Sequence, residues 1–331
     1  MSRIVRSRAS VAVARQAVVE LSARLGLPVL AESLPGADLL ARAATGLPWP
    51  QPGVLLRTGD GWVHPGPPDL WDDFTAMAVS LGAPSTDPAS PPGVPLPDLS
   101  ELAAEDVDAA AALWRLPAVA VRAVPPRPIT LPEAAPAGAR PLAGLHAVVL
   151  GFMWATPLAG RVLASLGARV TRVEHPRRRD PFPLRDVLAA GQERLAIDLD
   201  APRGVERLRS LFGGADLLLD GFTPRVLANL GLDPATLAGE WPGLAVVSHT
   251  AFRDEDRPGY GLAAEARGGW ASHVDPPRLG RASVADPVSG LCTALVAADL
   301  VVHSPRPARA RLGLDGGVAF LHEVADAVPG R

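Results

Sequence analysis

Apolar residues are spaced differently in the two halves of the chain. From Pro141 onward, short unbroken apolar runs alternate with amphipathic stretches. HAVVLG (146–151), RVTRVE (169–174), LAIDL (195–199), ADLLLDGF (215–222) and LAVVSHT (244–250) read as strands, most of them apolar on both faces, as central parallel strands are. Between them the spacing predicts helices over Pro157–Leu166, stopped by Gly167, over Pro202–Phe212 and over Pro224–Leu230. Repeated strand–helix units with short connections predict an α/β fold with a doubly wound parallel sheet, helices covering both faces.

The first half lacks that alternation. Alanine-rich spacing predicts helix from about Ser10 to Ala44, broken at Gly26, Pro28 and Pro35. Val54 to Gly66 reads as a hairpin around Thr58-Gly59-Asp60-Gly61. Leu70, Phe74, Met77, Ala78 and Leu81 share one face of a helix ending at Gly82. A proline-rich loop (Pro84–Pro97), a helix from Leu99 to Leu113 and a strand in AVAVRAV (118–124) follow. The expected division is a small α+β domain over residues 1–124, a proline-rich connector over 125–140 and a large α/β domain over 141–331.

Composition removes several chemistries. The chain has 331 residues and no lysine, so all 32 of its Lys+Arg cations are arginine, which excludes a P-loop lysine and a pyridoxal Schiff base. The one cysteine, Cys292, excludes an internal disulfide or a multi-thiolate metal site, and its apolar helix predicts a buried, inert thiol. Seven histidines are scattered with no i,i+4 pair, so no metal is expected. A net charge of −3 offers no general attraction to nucleic acid or to an anionic membrane. The basic N-terminus lacks the continuous apolar segment of a secretory signal, so the expected location is the cytoplasm. A dinucleotide fingerprint is absent: after HAVVLG come Phe152, Met153, Trp154, Ala155, Thr156 and Pro157 instead of a glycine-rich turn.

The motifs PLAGLHAVVLG, TPLAGRVLASLGARVTRVEHP, LAIDLDAPRGVERL, ADLLLDGFTPRVLANLGLD, PGLAVVSHTAF, RPGYGLAAEARGG and VADPVSGLCTALVAADLV run in order from Pro141 to about Asp315. Together they resemble the family III CoA-transferases, the carnitine and bile-acid CoA-transferase family. LLRTGDGWVHPGPPDLWDDFTAMAVSLGAP and ALWRLPAVAVR resemble the small domain that this family carries after its nucleotide-fold domain. Here they come first, so the chain looks circularly permuted, or like the middle of a tandem protein.

The resemblance implies coenzyme A as ligand and an aspartate nucleophile after the glycine–aromatic pair. That position is Gly261, so the family's covalent route has no nucleophile there. Glu265, one helical turn on, is the alternative carboxylate, although its spacing and type suit a solvated helix residue better. The family's racemases move an α-proton with a histidine and an aspartate; the histidine's place is Tyr260 and the aspartate's is Asp286. Asp286 also suits an N-cap for a helix starting near Val288. Arg172 matches a basic position near the CoA phosphates, with Arg177, Arg178 and Arg179 beside it, and Trp154, Ala155 and Thr156 match loop residues beside the pantetheine arm. A lysine expected before LAIDL is replaced around Gln192-Glu193, and an arginine expected in the GFTP segment is Thr223. Ser248-His249, at the end of a strand, lacks an identifiable acidic partner. Three functions follow: proton transfer on an acyl-CoA or related acyl substrate through Asp286 with Tyr260; a non-catalytic homologue that binds or assembles with an active CoA-transferase chain; or transfer through a displaced carboxylate such as Glu265. The resemblance also implies a homodimer.

Overall fold

The structure, a computed structural model, describes residues 3–26, 53–86, 96–138, 141–178, 180, 184–271, 276–280 and 283–327. Its larger part is a six-stranded sheet: β4 (His146–Leu150), β5 (Arg169–Glu174), β6 (Glu193–Ala196), β7 (Leu217–Asp220), β8 (Ala245–Thr250) and β9 (Arg309–Gly313). Every neighbouring pair is parallel, and the spatial order is β6-β5-β4-β7-β8-β9. The chain winds outward from β4 in one direction and then, from β7, in the other. The order reverses between β4 and β7, where open sheets of this kind form their ligand crevice at the carboxyl ends of the strands.

Alternation along each strand divides the core in two. Ala147, Val149, Val170, Leu217, Leu219, Ala245 and Val247 face one helical layer. That layer holds α1 (Arg3–Arg24), α4 (Ala155–Ser165), α10 (Ala285–His303) and α11 (Leu314–Ala327). Val148, Leu150, Val173, Leu218 and Val246 face the other, made by α6 (Pro202–Phe212) and α8 (Pro234–Glu240) through Leu208, Phe212 and Leu237. α10 is long and apolar enough to cross a bilayer, yet 72% of its apolar window is buried in this fold. Its Gly290 lets α4 approach closely, since a Cβ there would lie 2.7 Å from the Ala155 carbonyl oxygen.

The smaller part is an antiparallel sheet, β1 (Leu56–Arg57), β2 (Trp62–His64) and β3 (Val119–Ala120), packed with α2 (Trp71–Ser80) and α3 (Ala104–Leu113) around Phe74, Met77, Leu99 and Val107. The predicted hairpin is therefore present, its turn closed by Thr58 N–H to the Gly61 carbonyl at 2.9 Å.

Several element boundaries differ from expectation. α1 starts before Ser10 and ends at Arg24, and the expected helix from residue 27 to Ala44 lies outside the described residues. α2 buries Trp71, Phe74, Met77 and Ala78 but not Leu70 or Leu81, because Leu70 ends the preceding 3₁₀ turn at Pro68–Leu70 and Leu81 is the C-terminal cap. α3 begins at Ala104, since Asp60 of the hairpin accepts the Ala104 N–H at 2.8 Å. α10 begins at Ala285 instead of near Val288, so Asp286 lies inside its first turn and Val284 takes the cap position.

The two parts meet at Asp108, which is buried on α3. It accepts Ala120 N–H at 3.0 Å and pairs with Arg257 at 3.2 Å and Arg267 at 2.7 Å, both from the larger part. Arg257 also donates to the Ala118 carbonyl, and Arg267 pairs with Glu255.

Candidate active site

Tyr260 caps and Gly261 opens α9 (Gly261–Arg267), a short helix that runs against the start of α10. One turn into α9, Glu265 is buried, not solvated as its sequence context suggested. Its Oε1 accepts from the Ser283 hydroxyl at 2.8 Å and from the backbone N–H groups of Val284 and Ala285 at 2.7 and 3.1 Å. A carboxylate from one helix thus satisfies N–H groups at the start of another, which a local side chain does in most helices. Burial nevertheless dominates these hydrogen bonds and, with Asp286 nearby, pushes the Glu265 carboxyl up to about 7.

Asp286 lies beside it. Its backbone N–H donates to Ser283 Oγ at 3.3 Å, and burial pushes its carboxyl up to about 6 against the hydrogen bond with Ser283. A Cβ built on Gly261 would overlap Asp286 Oδ2 and Ser283 Oγ. The room that a side chain at position 261 would need is filled from α10. Asp286 is the partly exposed member of the carboxyl pair, and Glu265 the enclosed one. Tyr260 is 37% exposed, and burial of its ring, with Asp69 of the small domain opposite, holds the phenol above its ordinary range. The structure therefore brings Glu265 and Asp286 together through Ser283, which the sequence reading missed because it lies so far along the chain from α9, and leaves Tyr260 at the start of α9 with its ring toward Asp69.

Behind them, Ser289 Oγ donates to the Asp286 carbonyl at 3.2 Å and meets His249 Nε2 at 3.2 Å. Burial pushes His249 down to about 4, so it stays neutral. Ser248, its neighbour in β8, projects to the opposite side of the sheet. There it bonds Asp220, whose carboxyl burial pushes up to about 6. The acidic partner missing from the sequence reading is thus Asp220, but serine and histidine lie on opposite faces and form no triad.

At the sheet reversal, Trp154 and Thr156 are buried at the start of α4, with Ala155 between them. Arg172, expected to face phosphates, is fully buried: Nη2 meets Asp180 Oδ2 at 2.7 Å and Nε lies 3.3 Å from Glu174. Asp180 also accepts Met153 N–H at 2.9 Å, so the pair holds the β4–α4 loop in place. Arg177 and Arg178 pair with Asp198 and Asp200, and Arg179 lies outside the described residues. His175, Asp198 and Asp200 offer ligand atoms within 4.8 Å of one another, but both carboxylates already serve those arginines. Cys292 is buried in α10, where burial pushes its thiol far above the ordinary range.

Comparison with known proteins follows the larger part. The profile of CoA-transferase family III matches residues 142–315. The succinyl-CoA–D-citramalate CoA-transferase of Chloroflexus aurantiacus is 32% identical over 148 residues, 39% of this chain and 36% of that protein. Human alpha-methylacyl-CoA racemase is 37% identical over 111 residues, 34% of this chain and 28% of its own length. The chain thus spans well under half the length of these relatives. Among solved structures, the hypothetical protein Rv3272 from Mycobacterium tuberculosis superposes with a TM-score of 0.51 at 24% identity, over 59% of each chain, a likeness of fold.

Proposed function

The chain belongs to CoA-transferase family III, and from that membership we propose that it acts on an acyl-CoA by proton transfer at the carbon next to the thioester. The single observation that carries this reading is the position of Asp286. Position 261 has no side chain to attack a thioester, and the carboxyl that fills its room comes from α10. A carboxyl shifted to about 6 by burial is a usable general base near neutral pH. It takes the α-proton as the thioester becomes an enolate. Glu265, bonded through the same serine, keeps the site's charge low, and the neutral Tyr260 phenol supplies a proton to the developing oxyanion or to the carbon. The likeness to a racemase supports the same reaction class.

Incubation with a 2-methylacyl-CoA in D₂O tests this. Deuterium should enter the α-position, and Asp286→Asn should stop its entry while the thermal midpoint is kept. Full exchange in the variant, or none in the parent chain, rejects the reading. A covalent CoA adduct on Glu265, found by mass spectrometry, would instead mark a displaced transferase nucleophile.

A second reading rests on the glycine at position 261: a non-catalytic homologue that binds or assembles with an active CoA-transferase chain. Co-purification with a chain bearing the aspartate supports that reading. With either reading go coenzyme A as ligand, a homodimer or mixed pair, a cytoplasmic location, and a domain order that reflects permutation or a tandem parent.

A further inference from the structure

Ser283 stands between two carboxyls and has one hydroxyl proton to give. Its Oγ donates to Glu265 Oε1 at 2.8 Å and accepts the Asp286 N–H at 3.3 Å. The Asp286 carboxyl is hydrogen-bonded to the same side chain. A Cβ on Gly261 would overlap both Asp286 Oδ2 and Ser283 Oγ, so these two oxygens face each other. Ser283 is itself buried, which shields its bonds from competing water.

A serine three residues ahead of an acidic residue at a helix start has the pattern of a capping box, in which the hydroxyl serves the helix backbone. Here α10 has another supplier. Glu265 Oε1 accepts the N–H groups of Val284 and Ala285 at 2.7 and 3.1 Å and takes the Ser283 hydroxyl as well. Two carboxyls therefore compete for one donor, and charge decides the competition, since an ionised carboxylate draws a donor more strongly than a neutral acid. With Glu265 pushed up to about 7 and Asp286 up to about 6, Asp286 ionises first as pH rises. It does so while Glu265 is still protonated and makes its weakest claim on the hydroxyl. The other titratable and charged groups near the pair are Tyr260 with Asp69 facing it, and neutral His249 behind α10 through Ser289. Farther along α9, Arg267 is taken by Asp108 and Glu255, and His322 of α11 meets the Gly268 carbonyl.

We infer that Ser283 is a positioning residue for the base: released by protonated Glu265, its hydroxyl bonds the Asp286 carboxylate and favours the charged form that takes the α-proton. The inference rests on the reading of Asp286 as that base. The α-proton passes from the substrate carbon to Asp286, and Ser283 keeps its own proton throughout.

Deuterium entry into a 2-methylacyl-CoA in D₂O, followed against pH, tests it in the parent chain, Ser283→Ala and Ser283→Thr. Loss of the hydroxyl removes a hydrogen bond to the charged form, so the Asp286 midpoint should rise. The acid limb should move up by about one pH unit, a loss of about tenfold in rate at pH 5 with KM kept. Ser283→Thr keeps the hydroxyl and should return the limb to its parent position. Glu265→Gln leaves Asp286 as the one charged acceptor and should not raise the limb. Ser283→Cys, a weak donor of similar size, should move it part of the way and serves if Ser283→Ala does not fold. Infrared titration of protonated carboxyls in the same chains without substrate, with Asp286→Asn to identify the Asp286 band, separates two failures. No exchange in the parent chain, with an Asp286 midpoint that rises in Ser283→Ala and returns in Ser283→Thr, removes the base reading and upholds the hold of Ser283 on the carboxyl. A midpoint and limb that stay at parent values in Ser283→Ala, or a shift that Ser283→Thr does not reverse, overturn the inference.

Discussion

Asp286 stands over Gly261, its carboxylate in the volume that a side chain on that glycine would claim. The two positions are therefore exclusive: one carboxyl fits at this point of the fold, and it enters from α10. Restoring an aspartate by Gly261→Asp should cost about 1–3 kcal/mol through overpacking. Removing the obstacle with Asp286→Ala in the same chain should return part of that loss. Urea unfolding of the single and double variants measures the coupling; simple additivity would show that the two side chains do not compete.

Glu265 sets a pH dependence of stability. Its carboxyl is raised in the fold to about 7, so its contribution is complete below the ordinary carboxylate range and is lost as pH climbs through 7. Glu265→Gln keeps an oxygen for Ser283, Val284 and Ala285 and removes the ionisation. The variant should lose this part of the decline between pH 5 and 8 and be more stable than the parent at pH 8, by on the order of 2 kcal/mol. Thermal melts across that range decide it.

Asp286 should set the acid limb of the reaction. As a base it must be ionised, so α-deuteration should rise with pH through about 6 and level off above it. Asp286→Asn should reduce the rate by about 10²–10⁴-fold. A rate that is flat from pH 5 to 8 in the parent chain argues for another base.

Asp108 should carry the seam between the two parts. Removing it leaves Arg257 and Arg267 without their buried carboxylate, although Glu255 stays near both. Breaking a buried pair of this sort typically costs about 3–5 kcal/mol, and Asp108→Ala should fall in that range by denaturant unfolding. A loss below 1 kcal/mol would mean that water or Glu255 takes over the pairing.

The sheet was legible because its strands carry their own signal: HAVVL and LLL are short unbroken apolar runs, as strands of a covered parallel sheet are, and they alternate with amphipathic helices. The hairpin and α6 were equally local. The site was legible only in part. Gly261 and Glu265 lie one turn apart on α9, so their nearness follows from spacing, but the burial of Glu265 depends on Ser283 and the start of α10, brought in across a long connection. Arg172 misleads for the same reason, since its partner Asp180 reaches it only after the loop beyond β5 folds back. Asp108 gave no signal at all, as an acidic residue on an alanine-rich helix reads as solvated. Nor does a sequence announce that Arg115 and Arg225 occupy left-handed backbone.

The lone thiol of Cys292 turns the core into its own clock. Enclosed within α10 and held protonated by its surroundings, it cannot meet a maleimide or an aromatic disulfide while the helical layer is closed. With no second thiol to compete, the speed of its modification counts how often that layer parts from the sheet. Slow labelling that accelerates in step with denaturant would report opening of the whole molecule; fast labelling in plain buffer would reveal that α10 lifts away while the rest of the protein stays folded.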